Sequence, residues 1–245
     1  MKFSISKTKL LEALQRVQNV VAPRSTLQIL SNAMIQAEGD QLKLITTDLD
    51  VSVSGRVSAQ VASEGATTLP IRRLVSIVRE LSDDEIEIDV DEEDVASLRS
   101  GGSFFKIIGL PVRDFPPVPQ AEGESSFCID QGAFREMLRK TFYAASQEES
   151  RRVLNGVLLA FKEGKLTMVA TDGKRLALVE QEAEFPPEMD VEIVLPIKAV
   201  NELLHILGED GNLRIFSQKG QAIFEFDQTV LSTKLIDGVY PNYRQ

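Results

Sequence analysis

The chain has one cysteine, one histidine and no tryptophan among its 245 residues. A single cysteine, Cys128, excludes an internal disulfide and fits a reducing compartment, which favours the cytoplasm. Because Cys128 lies within an apolar strand pattern, we predict that it fills space in the core. His205 has no evident partner and falls inside a predicted helix, so we predict a surface side chain.

Long apolar runs are also missing, which excludes a membrane-spanning helix of about 18 residues, and the N-terminal MKFSISKTKL lacks the apolar core of a signal peptide. Neither common glycine loop for phosphate occurs. The acidic stretch from 83 to 94 lacks the glycine and spacing of a calcium loop. No metal or cofactor is therefore predicted, and the residue types that commonly form active sites are scarce.

What the chain does contain is an internal repeat at an offset of about 125 residues. Residues 69 to 81 read LPIRRLVSIVREL, and residues 195 to 207 read LPIKAVNELLHIL. Both copies also run from a strand pattern into the pair Thr-Asp, at 47 and 48 and again at 171 and 172. We predict two copies of one domain, residues 1–120 and 121–245, joined by the proline-rich segment from Pro111 to Glu124.

Each copy has the hydrophobic pattern of an α+β domain. The approximate order is β-α-β-β-β-α-β-β-β, with helices predicted at residues 7–21, 70–81, 131–142 and 196–207. Pro70 and Pro196 are predicted to begin the second helix of each copy, because proline is favoured in a first turn. Helices without regular βαβ alternation indicate antiparallel sheets covered on one face by helices.

Charge is segregated along the chain. The net charge is -10, yet the four predicted helices carry +2, +2, +2 and 0, so they sum to +6 and the remainder carries -16. Nine carboxylates lie between residues 83 and 94 without a single base. This segregation is typical of a protein with one basic face, as a nucleic-acid-binding surface requires.

Several motifs give the whole chain a close resemblance to one family. They are the opening MKF, the Leu154-Asn155-Gly156 run, ATDGKRLA at 170–177, and KLIDG at 234–238 followed by YPNYR at 240–244. The chain resembles the bacterial DNA polymerase III beta subunits, which are sliding clamps. The resemblance implies clamp domains with antiparallel sheets outside and two helices per domain facing a DNA channel. It further implies a non-catalytic processivity factor that encircles duplex DNA without sequence specificity.

The resemblance also implies partners and an assembly. Family subunits bind the polymerase catalytic subunit, the clamp loader and repair proteins through short peptides, and two three-domain subunits join head to tail as a homodimer ring. Only two domain copies occur here. We therefore expect a truncated fragment that lacks the third copy and does not close a family-type ring by itself.

Cations on and beside the helices are expected to contact DNA phosphates, because a clamp that slides needs weak contacts that are blind to sequence. Arg24 resembles the DNA-contacting loop arginine of the family, whereas the matching loop of the second copy reads Ser146-Gln147-Glu148-Glu149, whose carboxylates are unfavourable near phosphate. The expected DNA-binding residues are Lys7, Lys9, Arg16, Arg24, Arg72, Arg73, Arg79, Arg135, Arg139, Lys140 and Lys198.

The resemblance also implies a hydrophobic groove for partner peptides, whose residues are assigned position by position from the matching family motifs. Leu154, Leu176 and Pro241 would supply an apolar floor, and Gly173 would permit close approach of a peptide. Lys174 replaces a histidine of some relatives, and Gln245 occupies a place that is often basic. The expected groove residues are Leu154, Thr171, Gly173, Lys174, Arg175, Leu176, Pro241 and Arg244.

Two alternatives from other classes remain open. The first is an interaction module with a duplicated fold that binds proteins or peptides without DNA, for which removing the helix cations would change nothing. The second is an enzyme, such as a hydrolase, that uses the repeated Thr-Asp pairs as acids or bases. Because both copies hold the pair at the same place, a turn or strand-end role is favoured.

Overall fold

The structure, a computed structural model, describes residues 1–22, 27–119, 126–148, 150–185, 191–218 and 220–244. The chain divides into two compact units, Met1–Val118 and Pro119–Gln245.

The first unit contains two helices and nine strands in the described residues. In chain order they are β1 (Lys2–Ser6), α1 (Lys7–Val17), β2 (Asn32–Glu38), β3 (Gln41–Thr47), β4 (Val51–Ser58), β5 (Gln60–Ser63), β6 (Gly65–Pro70), α2 (Ile71–Glu80), β7 (Glu85–Val90), β8 (Val95–Ser100) and β9 (Ser103–Ile108).

The second unit repeats this order with one strand fewer in the described residues. Its elements are β10 (Phe127–Asp130), α3 (Gln131–Thr141), β11 (Gly156–Lys162), β12 (Lys165–Thr171), β13 (Leu176–Glu182), β14 (Val191–Pro196), α4 (Ile197–Ile206), β15 (Asn212–Gln218), β16 (Gln221–Phe226) and β17 (Thr229–Lys234).

Apart from β5, which has no counterpart in the described residues of the second unit, the strand order is the same in both units. The first unit has the orders β5-β1-β7-β8-β9 and β4-β3-β2-β6, and the second has β10-β15-β16-β17 and β13-β12-β11-β14. The described pairings within these sheets are antiparallel. The repeat in sequence is therefore a repeat in structure, and the predicted α+β class with antiparallel sheets is confirmed.

The first helix of each unit begins at a side-chain cap. Ser6 Oγ accepts a hydrogen bond from the Lys9 amide in α1, and Asp130 Oδ1 accepts one from the Ala133 amide in α3. Such caps satisfy amides that a helix start leaves without a partner. Helix α1 packs on β3, β4 and α2, and α3 packs on β12, β13 and α4.

The prediction that α1 reaches residue 21 was too long, because the α-helix ends at Val17 and a 3-10 turn follows at Gln18–Val20. The carbonyl of Val17 accepts a hydrogen bond from the buried Thr46 hydroxyl. That bond gives the last carbonyl of the helix a partner outside the helix, so the α-helical ladder need not continue.

Pro70 and Pro196 do not begin their helices, contrary to the prediction. Each is the last residue of a strand and the N-cap of the helix that follows, with extended ψ angles of 104° and 145°. Pro70 pairs with Asn32 in the sheet, and Pro196 pairs with Gly156. The helices start one residue later because each proline continues the strand before the chain turns.

Cys128 is exposed, so the prediction that it fills space in the core was wrong. Within β10 the side chains alternate, and Phe127 and Ile129 take the buried positions. The two-residue period of a strand places Cys128 on the opposite face. The predicted surface position of His205 on α4 is confirmed.

The predicted order of elements missed strands between the two helices of each copy. Among the described residues, five strands lie there in the first unit and four in the second, where three were expected. Strand β5 is short and has little apolar pattern. Strands β6 and β14 run directly into a helix, so their apolar patterns cannot be separated from that of the helix in the sequence. No helix in the described residues has the length and apolar content needed to cross a membrane.

Candidate functional site

The Thr-Asp pair of the second unit builds a tight turn between β12 and β13. Thr171 Oγ1 donates to the Arg175 carbonyl at 2.6 Å and accepts from the Gly173 amide at 3.0 Å. Asp172 Oδ1 accepts from the amides of Lys174 and Arg175 at 2.9 and 3.0 Å. The two side chains thus bond the backbone of the turn that joins the strands.

The first unit builds the same turn between β3 and β4. Thr47 Oγ1 donates to the Val51 carbonyl at 3.1 Å and accepts from the Leu49 amide at 3.0 Å. Asp48 Oδ1 accepts from the amides of Asp50 and Val51 at 3.0 and 2.7 Å. The repeated pair is therefore a turn motif, as predicted.

The electrostatics of Asp172 support the same role. Hydrogen bonds from the backbone amides of Lys174 and Arg175 lower the pKa of Asp172, and the Arg175 guanidinium, 3.1 Å from Oδ2, lowers it further. A general acid requires a raised pKa near the working pH. Asp172 is thus held as a carboxylate that stabilises the turn.

Gly173 occupies a backbone conformation that favours glycine. Its φ is +86°, and a Cβ there would lie 3.1 Å from Arg151 Nη1. The matching position of the first unit holds Leu49 at φ 80°, a rare and costly conformation for a leucine. Only the second-unit turn therefore presents open backbone at its tip.

An apolar cluster lies on the same sheet as this turn. Its buried members are Leu158, Val169, Val194 and Tyr240, and partly buried Val153, Leu154, Ile236 and Tyr243 pack against them. The Tyr240 hydroxyl donates to the Val169 carbonyl at 3.4 Å, and burial raises the pKa of this phenol to about 12. Tyr240 therefore stays protonated at neutral pH.

Strand register connects the cluster to the turn. Leu178, Val169, Leu158 and Val194 are opposite one another across the four strands of the sheet, and Leu176 is opposite Thr171. Alternate residues of a strand share a face, so Leu176 lies on the same face as this row. Leu176 and Leu178 are exposed, which extends the apolar surface to the sheet edge.

Five cations are close neighbours in sequence of residues in this apolar surface or of the turn beside it. Arg151 Nη1 donates to the Asp172 carbonyl at 3.2 Å, and Arg175 Nη2 donates to the Tyr143 carbonyl at 2.8 Å. Arg244 lies over the Tyr243 ring, with its Cζ 5.7 Å from the ring centroid. The five are Arg151, Arg152, Lys174, Arg175 and Arg244.

The structure brings the predicted groove residues to this one region. Leu154 is in the cluster, Thr171, Gly173, Lys174 and Arg175 form the turn, Leu176 follows it, and Pro241 and Arg244 flank Tyr240 and Tyr243. Their role in peptide binding stays a prediction.

Sequence reasoning missed several members of this apolar cluster as site residues. Ile236, Tyr240 and Tyr243 were quoted only as parts of the family motifs, and Val153 was not named at all. The sequence did hold a signal, because each of these apolar residues lies in or next to a family motif. Only the strand register shows which of these apolar residues share one face of the sheet.

Three of the predicted DNA-binding cations join the two helices of their own unit. Lys7 Nζ donates to the Leu81 carbonyl, and Arg72 Nη2 donates to the Val21 carbonyl at 3.0 Å. In the second unit Arg135 Nε donates to the Leu204 carbonyl at 3.2 Å. These cations thus have a structural role besides any contact with phosphate.

Four others on the first unit's helices are exposed and make no ion pair with the described residues. They are Lys9, Arg16, Arg73 and Arg79. Long cationic side chains in this state keep their full charge available to a polyanion.

The second unit's cations are partly neutralised. Arg139 Nε lies 2.8 Å from Glu136 Oε2, and Lys140 Nζ lies 3.5 Å from Glu136 Oε1. The hydrogen bond from Arg139 lowers the pKa of Glu136, so the carboxylate stays charged. Lys198 is exposed on α4. Arg24 lies outside the described residues, as do Glu149 and Gln245.

The described residues contain no group of histidine, cysteine, aspartate and glutamate side chains suited to a metal ion.

The second-copy loop that matches the Arg24 loop of the first copy contains Glu148. Its Oε2 lies 3.3 Å from Arg151 Nε, so this carboxylate is paired with a cation of its own unit.

Comparison with known proteins places similarity along nearly the whole chain. The family profile of the DNA polymerase III beta subunit N-terminal domain matches residues 1–119, and that of the central domain matches residues 128–242. The beta sliding clamp of Chlamydia trachomatis is 36% identical over 243 residues, covering 99% of this chain and 58% of the relative. That of Pseudomonas aeruginosa is 37% identical over 248 residues, covering 100% and 67%.

Solved structures agree with this similarity. A Pseudomonas aeruginosa DnaN sliding clamp bound to griselimycin has a TM-score of 0.93 at 36% identity, covering 99% of this chain and 66% of that chain. A DNA polymerase sliding clamp from Bacillus subtilis has a TM-score of 0.96 at 29% identity, covering 100% and 67%. The chain thus spans between about three fifths and two thirds of the length of these relatives.

Proposed function

Because this chain belongs to the DNA polymerase III beta subunit family, we propose that it forms part of a non-catalytic sliding clamp that encircles duplex DNA in the cytoplasm. The clamp holds the replicative polymerase on DNA and also receives the clamp loader and repair proteins. In this proposal the assembled clamp is a homodimer ring, the chain supplies two of its domain types, and the second unit carries the binding site for partner peptides.

The observation that carries the proposal is the apolar surface of the second unit and the turn next to it. Leu154 packs against the apolar cluster, Leu176 is exposed directly after the turn, and Gly173 lies at the tip of that turn. A short extended peptide gains most affinity by burying one or two apolar anchors in such a place. Arg152, Lys174 and Arg244 make no ion pair with the described residues, so these three cations favour a partner segment with acidic residues near its anchors.

The helix cations support the DNA part of the proposal. Lys9, Arg16, Arg73 and Arg79 extend from α1 and α2 into solvent, and none is held by a described carboxylate. Contacts from such side chains to phosphate provide affinity without reading bases. A protein that slides along DNA requires that combination.

The test is peptide binding to this chain. The probe is a fluorescein-labelled peptide from the clamp-binding segment of the same organism's polymerase III catalytic subunit, followed by fluorescence anisotropy. We expect saturable binding that Leu176→Asp weakens at least tenfold, because the new carboxylate would be desolvated by the apolar anchor.

Leu49→Asp is the matched control. Leu49 is 46% exposed and Leu176 is 48% exposed, and each lies at or beside the same turn of its own unit. The control variant should bind the peptide as well as the unmodified chain does. Equal affinity of the Leu176→Asp variant, or no binding by the unmodified chain, would overturn the groove assignment.

A further inference from the structure

Two cations lie directly opposite each other on a sheet of the first unit. Lys43 of β3 pairs in register with Arg56 of β4, so the two side chains share one face of the sheet. Arg56 is exposed and Lys43 is partly buried, and neither makes an ion pair or a side-chain hydrogen bond with the described residues. Like charges directly across two strands destabilise a sheet.

The cation pair lies on the face of the sheet that points away from α1. On the opposite face, the Thr46 hydroxyl donates to the carbonyl of Val17 at the end of that helix. A Cβ placed at Gly55, next to Arg56 in β4, would lie 3.7 Å from Val17 Cγ1, also on the helix side. Because side chains alternate along a strand, Lys43 and Arg56 extend to the other side. The sheet therefore separates them from the cations of α1.

A cavity of about 230 Å³ includes the pair. Its lining residues are Gln36, Glu38, Gln41, Lys43 and Arg56. Gln36 of β2 is opposite Lys43, and its Nε2 donates to Glu38 Oε2 at 3.3 Å. A water molecule takes about 30 Å³ of liquid volume, so the cavity has room for an anion of several heavy atoms.

The second unit has a different pair at the same place. Counted from the Thr-Asp turn of each unit, Thr167 and Glu180 occupy the positions of Lys43 and Arg56. They are directly opposite each other, and Thr167 Oγ1 donates to Glu180 Oε1 at 3.2 Å. The fold thus accepts a pair that bonds internally, whereas the first unit has two charges that repel. An anion between these charges would replace the repulsion by two attractions.

We propose that Lys43 and Arg56 bind a phosphoryl dianion, either free phosphate or the phosphomonoester of a nucleotide. A guanidinium donates two parallel hydrogen bonds to phosphoryl oxygens, and an ammonium adds a second positive charge. The side-chain amides of Gln36 and Gln41 are further donors in the cavity. Glu38 is the one carboxylate in the lining, and it weakens the attraction for an anion.

The charge of the pair selects among phosphates. Two cations match a dianion, whereas each phosphodiester of a DNA strand carries a single negative charge. The inference goes beyond the proposed function, because it requires neither duplex DNA nor a partner peptide and lies on the face away from α1.

The first test is a titration of the 245-residue chain with inorganic phosphate, followed by phosphorus NMR line broadening at constant ionic strength. A pH of about 8 keeps phosphoryl groups mainly dianionic. We expect saturable binding that Arg56→Gln weakens at least about tenfold, because a charge-assisted pair is lost. Arg113→Gln is the matched control, since it removes an exposed arginine of the same unit outside the cavity. No saturable binding, or equal binding by the Arg56→Gln variant, would overturn the proposal.

A parallel titration with AMP separates the two sources of the phosphoryl group. Tighter binding of AMP than of inorganic phosphate identifies a nucleotide as the ligand. Equal binding of the two identifies the phosphoryl group alone.

The second test reverses charges in the cavity. Arg56→Glu sets opposite charges across β3 and β4, so the variant should unfold at a higher temperature in chloride and yet lose phosphate binding. Glu38→Gln should bind phosphate about threefold more tightly, because the opposing carboxylate is gone. If Arg56→Glu binds phosphate as before, or if Glu38→Gln weakens binding, this cavity is not the site and the proposal fails.

Discussion

Glu202 is a buried carboxyl group on α4 whose Oε1 has no hydrogen-bond partner among the described residues. Burial raises the pKa of Glu202 to about 7, although the charge of Lys198, one helical turn earlier, acts in the opposite direction. The group is therefore close to half protonated at neutral pH. Stability should depend on which of the two forms is present.

Glu202→Gln tests this dependence. The raised pKa means that the folded state of the unmodified chain is favoured below about pH 4.5 and loses that advantage as the pH rises through about 7. Glutamine removes the charge at every pH. We expect the variant to be more stable by about 2 kcal/mol at pH 8 and nearly unchanged at pH 4.5, as measured by urea unfolding.

Glu136→Gln is the control for this experiment, because Glu136 lies on a helix and pairs with Arg139 near the surface. Its pKa is lowered, so its replacement should not increase stability at high pH. A pH profile of unfolding that is parallel for the Glu202→Gln variant and the unmodified chain would contradict the prediction.

The residue scale also shows what a sequence can and cannot reveal. The turn role of Asp172 was predictable, because a repeated Thr-Asp pair bonds its own local backbone wherever it folds. Burial of Glu202 was not, because it depends on the elements that pack around α4. The exposure of Cys128 was missed for a related reason, since a four-residue strand does not fix which face is buried.

At the scale of elements, the two helices of each unit are joined at their ends. In the first unit Lys7 bonds the Leu81 carbonyl. In the second unit Gln131, the first residue of α3, accepts a 3.0 Å hydrogen bond from the Gly208 amide. The first residue of the first helix thus bonds the chain just after the second helix in both copies, once as a donor and once as an acceptor.

Neighbouring arginines separate structural from electrostatic roles. Arg72 Nη2 bonds the Val21 carbonyl, whereas exposed Arg73 has no described partner of this kind. We expect Arg72→Met to lower the free energy of unfolding by about 1 kcal/mol, because a charge-assisted hydrogen bond is lost at a partly exposed position. Arg73→Met should leave it unchanged, as urea denaturation would show. Equal effects of both substitutions would refute the assigned difference.

Helices and most strands were predictable, because their apolar periods repeat in two copies. The hydrogen bonds between elements were not predictable, because nothing in the sequence distinguishes the cations that make them from Arg73. These cations are Lys7, Arg72 and Arg135. A helix cation can donate to a carbonyl at the end of another helix only when that carbonyl lies within hydrogen-bond distance. The distance between the two groups is set by the folded unit and cannot be read from the sequence.

At the scale of the whole molecule, the helix cations without an ion pair to a described carboxylate are unevenly distributed between the units. The first unit's helices carry Lys9, Arg16, Arg73 and Arg79 without a described ion pair, whereas Glu136 of the second unit is shared by Arg139 and Lys140. Ion pairs at exposed positions are weak, but they lower the local positive potential. The first unit should therefore dominate phosphate binding.

A salt titration measures this dominance. Replacing Lys9, Arg16, Arg73 and Arg79 by glutamine should weaken binding to duplex DNA and flatten the plot of log affinity against log salt. Each lost phosphate contact reduces its slope by about 0.9. The readout is anisotropy of a labelled duplex, and the effect should be the same for unrelated base sequences.

The matched control replaces four cations outside the helices, Lys43, Arg56, Arg113 and Lys165, by glutamine. It changes the net charge equally, so it isolates the helix positions from the general field of the protein. If both sets flatten the plot to the same extent, the helices hold no special surface. If neither set matters, a module that binds proteins without DNA becomes the better description.

The exposed position of Cys128 has a practical consequence for such measurements. It is the chain's single thiol, and it lies on the solvent face of β10 opposite Arg214. A maleimide dye should therefore attach at one known place without any substitution. Single-molecule fluorescence could then follow individual chains on DNA, with every dye reporting from the same point of the second unit.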